Sequence, residues 1–359
     1  MVEWLAGNRI RGTSTERTTG AGFNQVDAVS GGWKEVGRTT LGSNSQNITV
    51  SSIPDKRYYM VLGSIDLTGA GTGGGFRFGS GSVDSGSNYA YRQNANGGTD
   101  STAVTQTRAH PVGGYSNADE FYVGYIANLS LKEKLLQMHR LYGLGGGAGN
   151  DPKRAEYASK WVNTSNPLDT LNFYQGGSDN YVSGSELVVL GWDETDTHSD
   201  NFWEPLGSTT LSTAGTNIEV TFTAKKYLMV KVFAVSAGNN ADMSMQFNND
   251  TGTNYSYRRS NNGGADGTNN NAIFIIGGFS IPSGQELFKT MIIDNQSNKE
   301  KLAIIHEVSV DGAGAGTSPL RSELVGKWAN TSSQITTIDF NSSSQNYASG
   351  SFAEVWGHD

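Results

Sequence analysis

The segment DSGSNYAYRQNANGGTD, residues 84–100, returns as DTGTNYSYRRSNNGGAD at residues 250–266. Ten of the seventeen positions are identical, at an offset of 166 residues. Solenoid and propeller units run to roughly 20 to 50 residues, so a period of this length indicates a duplicated domain. The sequence therefore predicts two tandem copies of one fold.

Matches outside this segment extend the duplication along the chain. GAGNDPKRAEYASKWVNTS at residues 147–165 returns as GAGTSPLRSELVGKWANTS at residues 314–332. NYVSGSE at residues 180–186 returns as NYASGSF at residues 346–352. The repeat therefore covers nearly everything after residue 30.

The length of the chain agrees with this division, because 359 residues are enough for two domains that each bury a core. We predict an N-terminal arm or linker over residues 1–30, a first repeat over residues 31–195 and a second repeat over residues 196–359.

The composition favours an all-β fold. The chain holds 47 glycines and only 7 prolines, and charged residues make up 17% of it. Such a composition is typical of strands joined by tight polar turns. Apolar residues alternate with polar ones in YLMVKVF at residues 227–233, as expected for half-buried strands.

One segment presents a conflict between helix and strand. LSLKEKLLQMHRLY, residues 129–142, consists largely of strong helix formers. Its counterpart in the second repeat aligns His139 with His306 and is rich in β-branched residues. Tertiary context overrides helix propensity in such cases, so we predict a strand in both repeats.

About eight strands per repeat, with Asn-Gly-Gly hairpin signals at Asn96 and Asn262, indicate a two-sheet sandwich. We predict an all-β fold of two tandem jelly-roll-like sandwiches, preceded by an extended arm. A concanavalin-like sandwich is the alternative topology.

Charge and cysteine content exclude several functions. The net charge of -8 argues against nucleic acid as a partner, because phosphate binding needs clustered Lys and Arg. The chain contains no cysteine, which excludes disulfides and thiol catalysis. The first residues lack the pattern of a secretory signal, and no apolar stretch is long enough for a membrane span. We therefore expect a soluble product made in the cytoplasm.

The first thirty residues lie outside the repeat and form either a disordered terminus or an arm that docks on a neighbouring subunit. The candidate docking residues of this arm are Trp4, Leu5, Arg9, Ile10 and Arg11.

Catalytic motifs are missing from the sequence. There is no G-x-S-x-G segment, and the glycine run at residues 143–149 is not set in a strand–helix–strand pattern. The histidines do not have metal-ligand spacing. Glu156 and Glu323 recur beside the repeated tryptophans, but glycosidase chemistry needs two facing carboxylates, which the sequence does not supply as a pair. We predict that the protein is not an enzyme.

Repeated aspartates flank the tyrosine-rich segment in both copies. Turn formation explains an aspartate before Ser-Gly or Thr-Gly, and calcium binding by loop oxygens is the alternative. The candidate calcium ligands are Asp84, Asp100, Asp250 and Asp266. No other cofactor is expected.

The motif Asn-Tyr-x-Tyr-Arg inside that segment combines stacking and hydrogen-bonding groups. Tyrosine rings stack on sugars while amide and guanidinium groups bind hydroxyls, although the same rings also serve to cover a core. The candidate glycan-binding residues are Asn88, Tyr89, Tyr91, Arg92, Asn254, Tyr255, Tyr257 and Arg258.

WKEVGRTTL at residues 33–41, the tyrosine-rich segment and NYVSGSELVVLGWD at residues 180–193 together resemble a module of structural proteins from tailed-bacteriophage virions. The resemblance covers both repeats and carries no catalytic residue with it. It implies a β-sandwich on the virion surface, as a head decoration, tail or fibre component.

The resemblance also implies a homo-oligomer that contacts other virion proteins. A carbohydrate-binding module for host attachment is the alternative function, and a glycan-active enzyme is a minor one. A two-domain monomer, a trimer and a head-to-tail filament all remain compatible with the repeats.

Overall fold

The computed structural model describes seven stretches of the chain, and every regular element in them is a β-strand. The described residues are 32–69, 73–112, 119–143, 145–239, 241–278, 280–310 and 312–359. The predicted arm lies outside them. Within these stretches there is no helix long and apolar enough to cross a membrane.

The strands of the first repeat lie between residues 34 and 192. They are β1 Lys34–Thr40, β2 Asn47–Val50, β3 Tyr58–Ile65, β4 Gly74–Ser80, β5 Ser82–Val83, β6 Tyr89–Ala95, β7 Ser101–Gln106, β8 His110–Val112, β9 Glu120–Ala127, β10 Lys134–Tyr142, β11 Lys153–Trp161, β12 Thr170–Tyr174 and β13 Glu186–Trp192.

The strands of the second repeat lie between residues 204 and 358. They are β14 Glu204–Thr210, β15 Asn217–Thr221, β16 Tyr227–Val235, β17 Ser244–Phe247, β18 Tyr255–Asn261, β19 Gly267–Ala272, β20 Ile275–Ile276, β21 Glu286–Asp294, β22 Lys301–Ser309, β23 Leu320–Trp328, β24 Thr337–Asn341 and β25 Phe352–His358.

Each repeat pairs a large sheet with a small one. Among the described residues the first large sheet has the order β1-β13-β3-β9-β10-β11-β6-β7, and the second has β14-β25-β16-β21-β22-β23-β18-β19. These orders correspond strand for strand. The small sheets run β2-β12-β4-β5, with β8 on β4, and β15-β24-β17-β20. The predicted all-β sandwich architecture is confirmed.

The segment with high helix propensity forms strand β10, as predicted. β10 pairs with β9 along one edge and with β11 along the other, so its backbone hydrogen bonds are satisfied within the sheet. Leu136, Met138 and Arg140 point into the first sandwich, whereas Leu135 and Gln137 point outward and are exposed. Packing on both edges therefore outweighs the helix propensity of the isolated segment.

The two Asn-Gly hairpins also form as predicted. Asn96 and Gly97 have φ values of 53° and 67°, and Asn262 and Gly263 have φ values of 52° and 73°. Type I′ turns require positive φ at both central residues, and Asn followed by Gly reaches this region with little strain. The hairpins connect β6 to β7 and β18 to β19.

The core of each sandwich lies between its large and its small sheet. In the first repeat, Phe173 of the small sheet contacts Tyr122 of the large sheet at a ring-centroid distance of 5.0 Å. Trp161 and Trp328 occupy equivalent positions in the two cores and are almost fully buried. These aromatic side chains supply much of the buried apolar area.

A buried ion pair crosses neighbouring strands in each large sheet. In the first repeat Arg140 on β10 binds Glu120 on β9, with an Nη2–Oε1 distance of 2.8 Å. In the second repeat Lys289 on β21 binds Glu307 on β22, with an N–O distance of 3.1 Å. The cation and the carboxylate have exchanged strands between the copies, while one paired charge of each sign remains in each core.

A third apolar cluster lies between the outer faces of the two large sheets, so the repeats pack against each other. It contains Met60, Leu62, Phe121, Val123, Leu141, Val188 and Leu190 of the first repeat, Phe202 of the connection, and Tyr227, Leu302, Ile304 and Val325 of the second repeat. Polar contacts frame this cluster.

Two of these polar contacts are strong. The Tyr227 hydroxyl donates to the buried Glu186 carboxylate at 2.9 Å. Arg154 donates to both oxygens of Asp266, at 3.1 and 3.0 Å. Bidentate guanidinium–carboxylate contacts fix orientation as well as distance. The two repeats are therefore held in one defined arrangement.

Candidate functional site

The first tyrosine of each repeated motif lies in a sandwich core. The Tyr89 hydroxyl donates to the carbonyl oxygens of Phe78 and Asp84 at 3.0 and 2.8 Å, and its ring stacks on Trp161. Tyr255 is buried in the same way in the second repeat. These two rings have no face open to a ligand.

The remaining motif residues serve different roles in the two copies. Tyr91 is half-buried. Arg92 is exposed, and its Nη1 lies 3.5 Å from Oδ2 of Asp100. The equivalent Tyr257 is buried, and Arg258 binds Asp151 of the first repeat. The second copy of the motif is therefore part of the contact between the repeats.

Asn88 and Asn254 belong to the turns around the repeated aspartates. Asp84 accepts hydrogen bonds from Trp161 Nε1 at 2.7 Å, Asn88 Nδ2 at 2.9 Å and the Gly86 N–H at 2.8 Å. Burial raises the pKa of Asp84, but these three donors outweigh it, and the net shift is downward. The oxygens of this carboxylate are engaged by the turn.

Asp250 repeats this arrangement, with Trp328 Nε1 at 2.6 Å, Asn254 and the Gly252 N–H as donors. Asp266 is bound by Arg154. In the described stretches no three His, Asp or Glu side chains form a group that could hold a metal ion. Calcium binding by the four candidate aspartates stays a prediction.

An aromatic groove lies on the outer face of the first large sheet, next to the contact with the second repeat. Its cavity volume is about 740 Å³. The lining side chains are mainly aromatic and aliphatic. They are Trp33, Tyr58, Tyr59, Ala90, Tyr125, Ile126, Ala127, Leu135, Leu136, Gln137, Ala158, Ser159, Lys160 and Trp192.

Strand alternation places the aromatic rings of the groove on one face. Tyr58 stacks on Trp192 at a centroid distance of 5.7 Å, and Trp33 lies 6.3 Å from Tyr125 and 6.4 Å from Trp192. Leu135 stands beside them with 54% of its surface exposed. An exposed apolar surface of this kind is a candidate binding site.

The polar groups of the groove are few. Lys160 binds Glu133 at 2.9 Å, and Gln137 and Ser159 also reach the cavity. Among the described residues that line the groove there is no histidine, aspartate or glutamate. This arrangement suits apolar docking.

The groove residues escaped the sequence reasoning because they are scattered over residues 33 to 192. Two local signals pointed to them. Leu135 is apolar on the face of β10 opposite to Leu136 and Met138, and Tyr58 directly precedes the buried Tyr59. An apolar residue on both faces of a strand indicates that neither face is left to solvent.

A polar cluster lies where the two large sheets cross. The rings of His139 and His306 are 4.9 Å apart, and Arg154 binds Glu323 at 3.0 Å and also binds Glu156. The cavity at this cluster is only about 10 Å³. That volume holds at most one water molecule, so these two carboxylates have no room for a sugar between them.

Acidification is expected to weaken the fold through His139. Burial and the neighbouring charge of His306 together lower the pKa of His139 to about 4. Because the unfolded histidine titrates near 6.5, the unfolded state binds more protons between pH 6.5 and 4, and stability falls as the pH falls through this window. We expect His139→Gln to remove about 2 kcal/mol of this loss at pH 4.5.

The measurement is urea unfolding of both proteins at pH 7.5 and 4.5. Burial raises the pKa of Asp119 to about 7, which acts with the opposite sign in the same window. The difference between wild type and variant isolates the histidine, and an equal loss in both proteins would contradict the prediction.

No protein-family model matches this sequence, and no curated protein matches it either. Among solved structures, the chain is similar to the mouse laminin alpha1 chain, domains LG4-5, with 10% sequence identity and a TM-score of 0.18. The match covers 98% of this chain and 93% of that chain. At this TM-score the match supports no functional statement.

Proposed function

We propose that this protein is a non-enzymatic assembly protein that docks on another protein surface through the aromatic groove. The observation that carries the proposal is the lining of the groove, in which Trp33, Tyr58, Tyr125 and Trp192 surround Leu135. Tryptophan and tyrosine dominate the binding energy of protein interfaces, and charged residues are depleted at interface centres. The groove has this composition.

The particular assembly that we propose is the virion of a tailed bacteriophage, with the protein on the virion surface. The support is the sequence resemblance of residues 33–41 and 180–193 to virion modules. The partners are then other copies of the chain and other virion proteins. The net charge of -8 is consistent with protein rather than nucleic-acid partners.

Carbohydrate binding is the second candidate function. The stacked Tyr58–Trp192 pair offers ring faces of the kind on which sugars pack, and Gln137 and Lys160 supply hydrogen-bonding groups beside it. The small number of polar groups favours a protein partner over a sugar.

The test uses three immobilised proteins in lysate from the cells that naturally make this chain. We expect the wild type and Thr221→Asp, on the far sheet of the second repeat, to retain the same protein, identified by mass spectrometry. Leu135→Asp is expected to lower its retention at least tenfold, since a buried charge in an interface costs more than about 1.4 kcal/mol.

A glycan array with the same three proteins distinguishes the second candidate. A glycan signal lost only in Leu135→Asp, without a groove-dependent protein, would replace the assembly proposal by carbohydrate binding. If neither a protein nor a glycan depended on the groove, both candidates would be rejected.

A further inference from the structure

The contact inside the chain joins two different surfaces of the same fold. The strand register makes Tyr58 of β3 equivalent to Tyr227 of β16, because they pair with the last residues of β9 and β21. Tyr227 is fully buried in the contact between the repeats, whereas Tyr58 lines the open groove. The interface is therefore heterologous rather than two-fold symmetric.

Every second-repeat member of the apolar cluster between the large sheets has its first-repeat counterpart in the groove. The four pairs of counterparts, with the buried member first, are Tyr227 and Tyr58, Leu302 and Leu135, Ile304 and Gln137, and Val325 and Ala158. The groove is thus the first-repeat copy of a surface that, in the second repeat, is covered by the first repeat.

The surface that the first repeat contributes to this contact also has an uncovered copy, which lies on the second repeat. Phe121 and Leu141 of the first repeat are buried in the contact, but their second-repeat counterparts Phe288 and Val308 are 40% and 41% exposed. The counterparts of the buried Ser64 and Glu186 are Phe233 and Phe352, whose rings stack at 5.8 Å. We call the apolar row of Phe233, Phe288, Val308 and Phe352 the free face. The first-repeat contact surface is kept only in part, because Leu62, Val123 and Val188 correspond to Lys231, Thr290 and Glu354 beside this row.

We propose that the groove of one molecule binds the free face of a second copy of this chain, repeating between molecules the contact made within each one. This inference rests on the proposed assembly function and names its partner. A heterologous contact leaves one open surface of each kind after every addition, so it generates rings or filaments.

The charges around the two open surfaces match the same contact. Inside the chain, Arg154 of the first repeat binds Asp266 of the second repeat, which is also paired with Arg258. On the open surfaces the equivalent residues are Arg321, with 59% of its side chain exposed, and Asp100, with 48% exposed. In the proposed contact Arg321 of one molecule reaches Asp100 of the next.

Sedimentation velocity over a wide concentration range tests the proposal. The mass of the wild type and of Thr221→Asp is expected to rise with concentration. Leu135→Asp, in the groove, and Val308→Asp, on the free face, are each expected to weaken association at least tenfold, which corresponds to about 1.4 kcal/mol. Both substituted side chains are exposed, so the fold is retained.

A mixture of the two single variants has a distinctive expected result. Leu135→Asp keeps an intact free face and Val308→Asp keeps an intact groove, so the mixture forms 1:1 dimers and nothing larger. Asp100→Arg and Arg321→Asp form a second set, in which each single variant associates more weakly than the wild type. Their mixture is expected to regain association beyond the dimer, because both contacts between unlike variants place an arginine opposite an aspartate. This set decides the question if Leu135→Asp or Val308→Asp fails to fold.

Three results would overturn the proposal. They are a wild type that is monomeric at every concentration, association that is insensitive to Val308→Asp, and mixtures that remain monomeric. A monomeric wild type that still retains another protein through Leu135 would leave the proposed function standing, whereas loss of both would reject it as well.

Discussion

Replacing Arg140 by leucine is expected to destabilise the first repeat by about 3–5 kcal/mol. Arg140 binds both oxygens of Glu120, and both side chains are buried. Removal of the cation leaves a buried carboxylate that, among the described residues, keeps the Tyr122 hydroxyl as a side-chain donor, at 2.6 Å. An uncompensated charge inside a core is much more costly than the absence of the whole pair.

The measurement is the urea midpoint of the wild type and three variants. Glu120→Leu combined with Arg140→Leu is expected to recover most of the loss, because leucine already occupies the position equivalent to Glu120, at Leu287. The control is Arg92→Leu, which breaks an exposed pair and is expected to change stability by less than about 0.5 kcal/mol. A double variant as unstable as Arg140→Leu would contradict this account.

Leu302→Asp and Leu135→Asp are expected to differ in stability by about 3 kcal/mol or more, although they make the same change at equivalent strand positions. Leu302 is 1% exposed between the two large sheets, so its replacement buries a carboxylate without a partner. Leu135 lies in the open groove, where the new charge stays in water. Its replacement is expected to cost less than about 0.5 kcal/mol.

Urea unfolding at a dilution that keeps the protein monomeric measures this pair without a contribution from association. Limited proteolysis adds a second readout, because loss of the contact between the repeats exposes the connection around Phe202, which is buried against Tyr227. Equal stability of the two variants would mean that the repeats do not pack through Leu302.

The two copies show how a duplicated fold divides its roles. Both keep the tryptophan and tyrosine core and the aspartate turn, because every copy needs them to close its own sandwich. The two copies differ on the outer face of the large sheet. The first repeat makes the contact through the end that contains Phe121 and Leu141, and the second repeat makes it through the opposite end, which contains Tyr227 and Leu302. The end that each copy leaves out of this contact is the surface on which the proposed docking depends.

Much of the fold could be predicted from local pattern. The repeat predicted two equivalent halves, alternation predicted strands, and Asn96-Gly97 predicted a tight hairpin, because these features depend on neighbours along the chain. The strand at Lys134–Tyr142 required a comparison of the two copies, since its own propensity favours a helix.

The candidate site was less predictable. Asn88, Tyr89 and Asp84 stand out in the sequence because they recur, but their shared contacts close a turn and a core. Recurrence selects what every copy needs for folding. A surface that is buried in one copy and open in the other need not keep the same residues in both, so recurrence does not reveal it.

The sequence by itself determined the fold class, the duplication and the turn chemistry of this protein. Only the tertiary structure decided that Tyr227 is buried while the equivalent Tyr58 is open, and that Asp266 is enclosed while Asp100 is exposed. The physical reason is that a strand sequence fixes which side chains share a face, whereas the burial of that face depends on what packs against it.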